Sequence, residues 1–229
     1  MAAFTPMMQQ YLDIKNQYKD CIMFYRVGDF YEMFFDDALT ASKALEITLT
    51  GKDCGQEERA PMCGVPYHAY EVYANRLIEQ GYKVAICEQV EDPKQAKGLV
   101  KRDVIQIITP GTNLSTQNLK EGQNNYIMSI YAFDNAYGIA VADITTGEAR
   151  TCQVTSQEKC KDEINKYQPS EIICNETLLC QDWDWDYYRE RLHITISAID
   201  DWHFNEEQAA NCLLKHFKVQ SLEALGLKD

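Results

Sequence analysis

At 229 residues, 45% of them hydrophobic, the chain is long and apolar enough to bury a core as one or two domains, which excludes a disordered tail. It has no apolar run of the roughly 18 residues a membrane span needs, and its start, MAAFTPMMQQ, lacks the basic and apolar regions of a secretory leader, so a cytoplasmic placement is expected. A formal net charge of −13 excludes a protein that holds nucleic acid by bulk attraction, but the charge is uneven: residues 1–120 carry 13 Lys and Arg against 16 Asp and Glu, whereas residues 121–229 carry 9 against 19. Contact with a polyanion therefore falls to the first half and to local geometry. The nine cysteines never form a C-x-x-C pair, so neither a zinc spacing nor a disulfide framework emerges, and they read as buried free thiols.

In chain order, Thr5-Pro6 predicts a helix start, because the hydroxyl can cap free N–H groups and a proline lacks only an N–H that would be unpaired there. Met8, Tyr11, Leu12, Lys15 and Tyr18 then follow one helical face. In residues 21–37, CIMFYRVGDFYEMFFDD, two strand-forming runs meet at Gly28-Asp29, the signal of a two-residue hairpin turn. Alternation puts Phe30, Glu32 and Phe34 on one face of the second strand and Tyr31, Met33 and Phe35 on the other. Asp36 and Asp37 open a helix to about Leu45, where acidic side chains suit the positive end of the helix dipole; a metal-binding reading lacks a third ligand nearby.

Residues 46–50, EITLT, predict a strand, and 51–60 a polar loop carrying Lys52 and Arg59. In PMCGVPYHA, Pro66 ends an extended stretch, and Tyr67-His68 lead into a helix over 69–80 with Val72, Tyr73, Leu77 and Ile78 as its buried stripe; His68 reads as a cap or a phosphate contact. Strands at 83–88 and 103–109 follow, joined by the basic stretch EDPKQAKGLVKR. The polar run at 112–125 reads as a linker, which divides the chain into a first domain at 1–114, a linker at 115–125 and a second domain at 126–229. YIMSIYAF, YGIAVAD and EARTCQV then predict an antiparallel meander, followed by a helix at 156–167, strands at 171–174 and 193–197, and a final helix at 205–217 packing Ala209, Leu213 and Phe217. The fold class is α/β, of the α+β kind, with mixed sheets.

Four motifs stand in order: GDFYEMFFDDA at 28–38, PMCGVPYHA at 61–69, KVAICEQVEDP at 83–93 and ITPGT at 108–112. Together they resemble the MutS family, the bacterial DNA mismatch-repair sensors. The resemblance implies that Phe30 stacks on a mispaired base and that Glu32 hydrogen-bonds it. Arg26, Lys52, Tyr67 and His68 become candidates for contacts to the DNA backbone. It also implies a mixed-sheet mismatch-recognition domain followed by a connector domain that is ribonuclease H-like and truncated at its C-terminal end. The implied partners are double-stranded DNA with a mismatch or small loop, a second copy in a full-length homodimer, and a downstream MutL-like repair protein at the connector. The G-x-x-x-x-G-K-[ST] phosphate loop does not occur in this sequence, so ATP and Mg²⁺ are expected only in an ATPase domain outside it, and the segment is expected to be a non-enzymatic N-terminal piece needing no cofactor.

Two other functions compete. A ribonuclease H-like fold can carry a two-metal nuclease, for which Asp143 and Glu148 are the candidate carboxylates, although both read as solvated hairpin residues. A protein-interaction module without DNA binding is the other. Asp182, Asp184 and Asp186, interleaved with Trp183, Trp185 and Tyr187, lack the glycine bend and bidentate glutamate of a calcium loop and read as an acidic edge or partner surface.

Overall fold

The computed structural model describes residues 3–91, 98–114 and 124–227, and the chain divides into two compact units, the first reaching Gln123 and the second beginning at Asn124. Most of the polar run at 112–125, and Lys94 and Lys97 of the basic stretch, lie outside the described residues. Among the described residues, no helix is long and apolar enough to cross a membrane.

The first unit runs α1 (Pro6–Lys15), β1 (Cys21–Val27), β2 (Phe30–Phe34), α2 (Phe35–Leu45), β3 (Thr50–Lys52), β4 (Ala60–Pro66), α3 (Tyr70–Glu79), β5 (Lys83–Gln89) and β6 (Arg102–Ile108). Its six-stranded sheet has the order β3-β4-β2-β1-β5-β6, antiparallel except where β1 and β5 pair in parallel. Both faces of the sheet are covered. On one, Phe24, Tyr31, Met33, Leu45, Leu77 and Ile86 form a core with α2 and α3; on the other, Met23, Tyr25 and Phe34 pack with Met8 and Tyr11 of α1. Thr5 caps α1 as its hydroxyl predicts, accepting from the Met8 N–H.

Several expectations are corrected. The strand expected at 46–50 is displaced to β3, because Glu46 takes a left-handed conformation (φ 57°) to end α2 and cannot also begin a strand. The chain turns into α2 at Phe35 (φ 51°), so Phe35 joins the core beside Phe34 instead of the face of Tyr31 and Met33. Val72 is exposed on the outer side of α3, and Ala74 and Asn75 sit buried with Leu77 and Ile78 in its place. Asp37 does more than suit a helix dipole. It is buried, accepts hydrogen bonds from the Met23 N–H (3.0 Å) and the Tyr11 hydroxyl (3.2 Å), and pairs with Lys15 at 2.9 Å, tying α1, β1 and α2 together. Burial holds its carboxyl above the ordinary 3.8, against the opposing pull of Met23, Lys15 and Tyr11.

The second unit runs β7 (Tyr126–Phe133), β8 (Ala136–Asp143), β9 (Glu148–Val154), α4 (Gln157–Tyr167), β10 (Glu171–Cys174), α5 (Glu176–Leu179), β11 (Thr195–Ala198) and α6 (Glu206–Phe217). The antiparallel meander β7-β8-β9 is extended by β10 and β11, both parallel, to give the order β11-β10-β7-β8-β9, a ribonuclease H-like arrangement. Met128, Ile130, Ile139, Ile164 and Ile172 centre its core. In α6, Phe217 is exposed and no residue is fully buried, so the packing expected of it is only partial. Six cysteines are buried, but Cys152, Cys180 and Cys212 are exposed, which corrects the uniform reading. Burial pushes the Cys21, Cys87 and Cys160 thiols up to about 12, which leaves them inert as nucleophiles.

Candidate nucleic-acid interface

The β1–β2 hairpin turns at Gly28, whose φ of 57° is one a glycine takes without strain. At its head, Phe30 is paired in register with Val27 and Pro66 and is 49% exposed, whereas Tyr31, one residue on and facing the other way, is 3% exposed. A half-exposed apolar ring next to a buried one is a direct product of strand alternation, which puts the two on opposite faces of the sheet.

The head is held from behind. The Tyr31 hydroxyl donates to Glu88 on β5 at 2.7 Å, and Arg26 pairs with the same carboxylate at 3.1 Å. The Arg26 guanidinium also donates to the Gly28 carbonyl and lies 3.8 Å from the centre of the exposed Tyr67 ring, a cation–π stack, while the Tyr67 N–H donates to the Asp29 carbonyl at 3.0 Å. Burial, and then Glu88, push the Tyr31 phenol well up, so it stays a hydrogen-bond donor at any physiological pH. Glu88 carried no signal in the sequence, because its role depends on β5 lying beside β1.

Glu32 points to the same face as Phe30 and is paired with Lys52, the last residue of β3 and not a loop charge as expected. Their side chains are 14% and 26% exposed, and the Lys52 ammonium lies 5.7 Å from the centre of the Phe34 ring. Gly64, opposite Glu32 in β4, supplies the room: a Cβ there would stand 3.3 Å from the Tyr31 carbonyl oxygen and 3.6 Å from Glu32 Cγ. The structure therefore brings Phe30, Glu32 and Lys52 onto one face and Arg26 and Tyr67 beside the turn. His68 is exposed and edge-on to Tyr67 at 5.9 Å; no side chain caps the turn it belongs to or α3, so it is not a cap. Arg102, at the end of the basic stretch, is buried and bonded to the Arg26 carbonyl (2.7 Å) and to Gln10 (3.1 Å), a structural use of its charge.

The competing carboxylates are occupied. Asp143 is 1% exposed, not solvated as expected, because it closes the β8–β9 turn by accepting from the Thr145 N–H (2.8 Å), the Thr145 hydroxyl (2.6 Å) and the Asn125 N–H (3.2 Å). Burial alone would push its carboxyl up, but these hydrogen bonds prevail and hold it below 3.8. Glu148 accepts from the Tyr126 hydroxyl (3.0 Å) and from Asn124 (3.1 Å), and pairs with Arg150. Among the described residues, no group of three or more His, Cys, Asp or Glu is placed to hold a metal ion. Asp182, Asp184 and Asp186 are exposed around the stacked rings of Trp183 and Trp185, whose centres are 4.7 Å apart.

The family model for MutS domain I matches residues 5–117, and that for MutS domain II matches residues 125–229. The chain belongs to the MutS family. It is 61% identical, over its whole length, to the DNA mismatch repair protein MutS of Lachnoclostridium phytofermentans, of which it covers 25%. The proteins of the same name from Acetivibrio thermocellus and Ruminiclostridium cellulolyticum are each 54% identical over 97% of the chain, which covers 26% of either. The chain thus spans about a quarter of the length of these MutS relatives. The hairpin head with Phe30, Glu32 and Lys52 falls within MutS domain I, and Asp143 and Glu148 fall within MutS domain II.

Proposed function

We propose that the first domain, residues 1–114, reads mispaired or unpaired bases in duplex DNA, with Phe30 inserted from the minor groove as an apolar wedge and Glu32 accepting a hydrogen bond at the displaced base. The observation that carries this reading is the half-exposed Phe30 ring at the head of a hairpin whose neighbouring residues, Tyr31 and Arg26, are locked to Glu88. A rigid mount matters because a wedge transmits force only if it does not yield. A mispaired step stacks and pairs poorly, so unstacking and bending it costs less than at a matched step, and the preference comes mainly from deformability. The minor-groove edge is nearly degenerate, so one carboxylate serves several mispairs. Arg26, Tyr67 and His68 are the candidate backbone contacts, whereas Lys52 is paired with Glu32.

In the same reading, residues 126–229 form the connector, which offers a surface to a MutL-like partner, the full-length protein acts as a cytoplasmic, nucleoid-associated homodimer, and ATP with Mg²⁺ is used by other domains. A nuclease role for the second unit is disfavoured by the engagement of Asp143 and Glu148 in closing a hairpin. The test is a titration of the chain, continued to the full length of its relatives, with a duplex carrying one mismatch and with its matched twin. Tighter binding of the mismatch is expected, and equal binding, or Mg²⁺-dependent cleavage, contradicts the proposal.

Replacing Glu32 with glutamine in the full-length protein should tighten matched-duplex binding by a fewfold and narrow the gap to the mismatch, because the face around the Glu32–Lys52 pair becomes one charge more positive toward phosphates at every site while an acceptor used only at the lesion is lost. Uniform weakening on both duplexes would show Glu32 to be structural.

A further inference from the structure

Lys52 ends an edge strand, yet its ammonium meets a carboxylate two strands away, with β4 between them and Gly64 leaving space beside the Glu32 side chain it stands opposite. Exposed ion pairs rarely repay the freedom a lysine gives up, but this pair is mostly buried and its cation also rests near the Phe34 ring, so its geometry is fixed by the fold. Glu32 is otherwise an awkward group to carry toward DNA. It stands beside the proposed wedge, on the surface that must close against a polyanion, where an uncompensated carboxylate is penalised both by phosphate repulsion and by loss of water.

We infer that Lys52 is a positioning residue: it holds the Glu32 carboxylate alongside Phe30 and cancels its charge, so that the surface can close on a duplex while Glu32 is presented to the displaced base. This rests on the proposed reading of Phe30 and Glu32. It differs from a plain phosphate contact, because the effect of Lys52 then depends on the presence of Glu32.

A double-mutant cycle in the full-length protein separates the two, with wild type, Lys52→Met, Glu32→Gln and the double variant each titrated on matched and single-mismatch duplexes across a salt series. Lys52→Met should weaken binding of both duplexes about ten- to thirtyfold in the wild-type background but about threefold or less beside Glu32→Gln, a coupling in the range seen for contacting pairs. Lys52→Arg should restore most of the loss, since the charge returns. Should Lys52→Met unfold, the same cycle with Lys52→Gln decides. Equal losses in both backgrounds, with the salt slope falling by about one, would make Lys52 an independent phosphate contact and overturn the inference alone. Wild-type protein that does not prefer the mismatch would bring down the underlying reading, and this inference with it.

Discussion

Tyr31→Ala should cost the first unit roughly 3 to 5 kcal/mol of stability, through the lost transfer energy of a buried ring and the cavity left behind. The ring is 3% exposed, packs edge-on to Tyr70 at 5.3 Å and tilted against Phe24 at 6.1 Å, and its hydroxyl shares Glu88 with Arg26. Tyr31→Phe keeps the packing and should cost about 1 kcal/mol, the net worth of one hydrogen bond. All three tryptophans, Trp183, Trp185 and Trp202, belong to the second unit, so in urea the midpoint read by far-UV circular dichroism should fall in the variant while the midpoint read by tryptophan emission keeps its wild-type value. A Tyr31→Ala chain that unfolds at the wild-type midpoint would mean that the strand faces are assigned in reverse.

Lys15→Met should cost roughly 3 to 5 kcal/mol at neutral pH, the usual consequence of leaving one member of a buried ion pair behind. The variant keeps the apolar stem but strands Asp37, whose remaining partners, the Met23 N–H and the Tyr11 hydroxyl, are neutral. The pH dependence has a definite sign. Because burial raises the folded-state pKa of Asp37 above 3.8, the folded chain holds its proton more tightly than the unfolded chain does, and stability falls as pH rises from 3.8 through the folded value. Removing Lys15 takes away an interaction that lowers that value, so the window extends upward. The deficit of Lys15→Met relative to wild type should therefore be smallest near pH 4 and grow toward neutrality. A residue of it, from the carbonyls of Tyr18, Lys19 and Cys21 that Lys15 also donates to, stays constant. A deficit that does not change with pH would assign the whole effect to those carbonyls.

What was legible in the sequence was local. Alternation and a Gly-Asp turn were enough to place Phe30 opposite in sense to Tyr31, and Ser156 marked the start of α4 because its hydroxyl accepts from the Lys159 N–H. What was not legible depends on strands distant in sequence. Glu32 and Lys52 meet only because β4 lies between β2 and β3, Tyr31 and Arg26 share Glu88 only because β5 pairs with β1, and Asp37 is a hub only because α1 folds back over β1. The solvated reading of Asp143 failed for a nearer reason. A carboxylate at the end of a strand can turn inward when the next residues, here Thr145, offer it both a backbone and a hydroxyl donor.

The most direct test of the hairpin head as a mismatch reader is Phe30→Ala in the full-length protein, melted and titrated side by side with wild type. Since Phe30 is 49% exposed, stability should stay within about 0.5 kcal/mol of wild type. An aromatic–base stack is worth roughly 1 to 3 kcal/mol, so affinity for the single-mismatch duplex should fall by about one to two powers of ten while matched-duplex affinity barely moves. A Phe30→Ala protein that melts early yet keeps its preference for the mismatch would contradict the assignment.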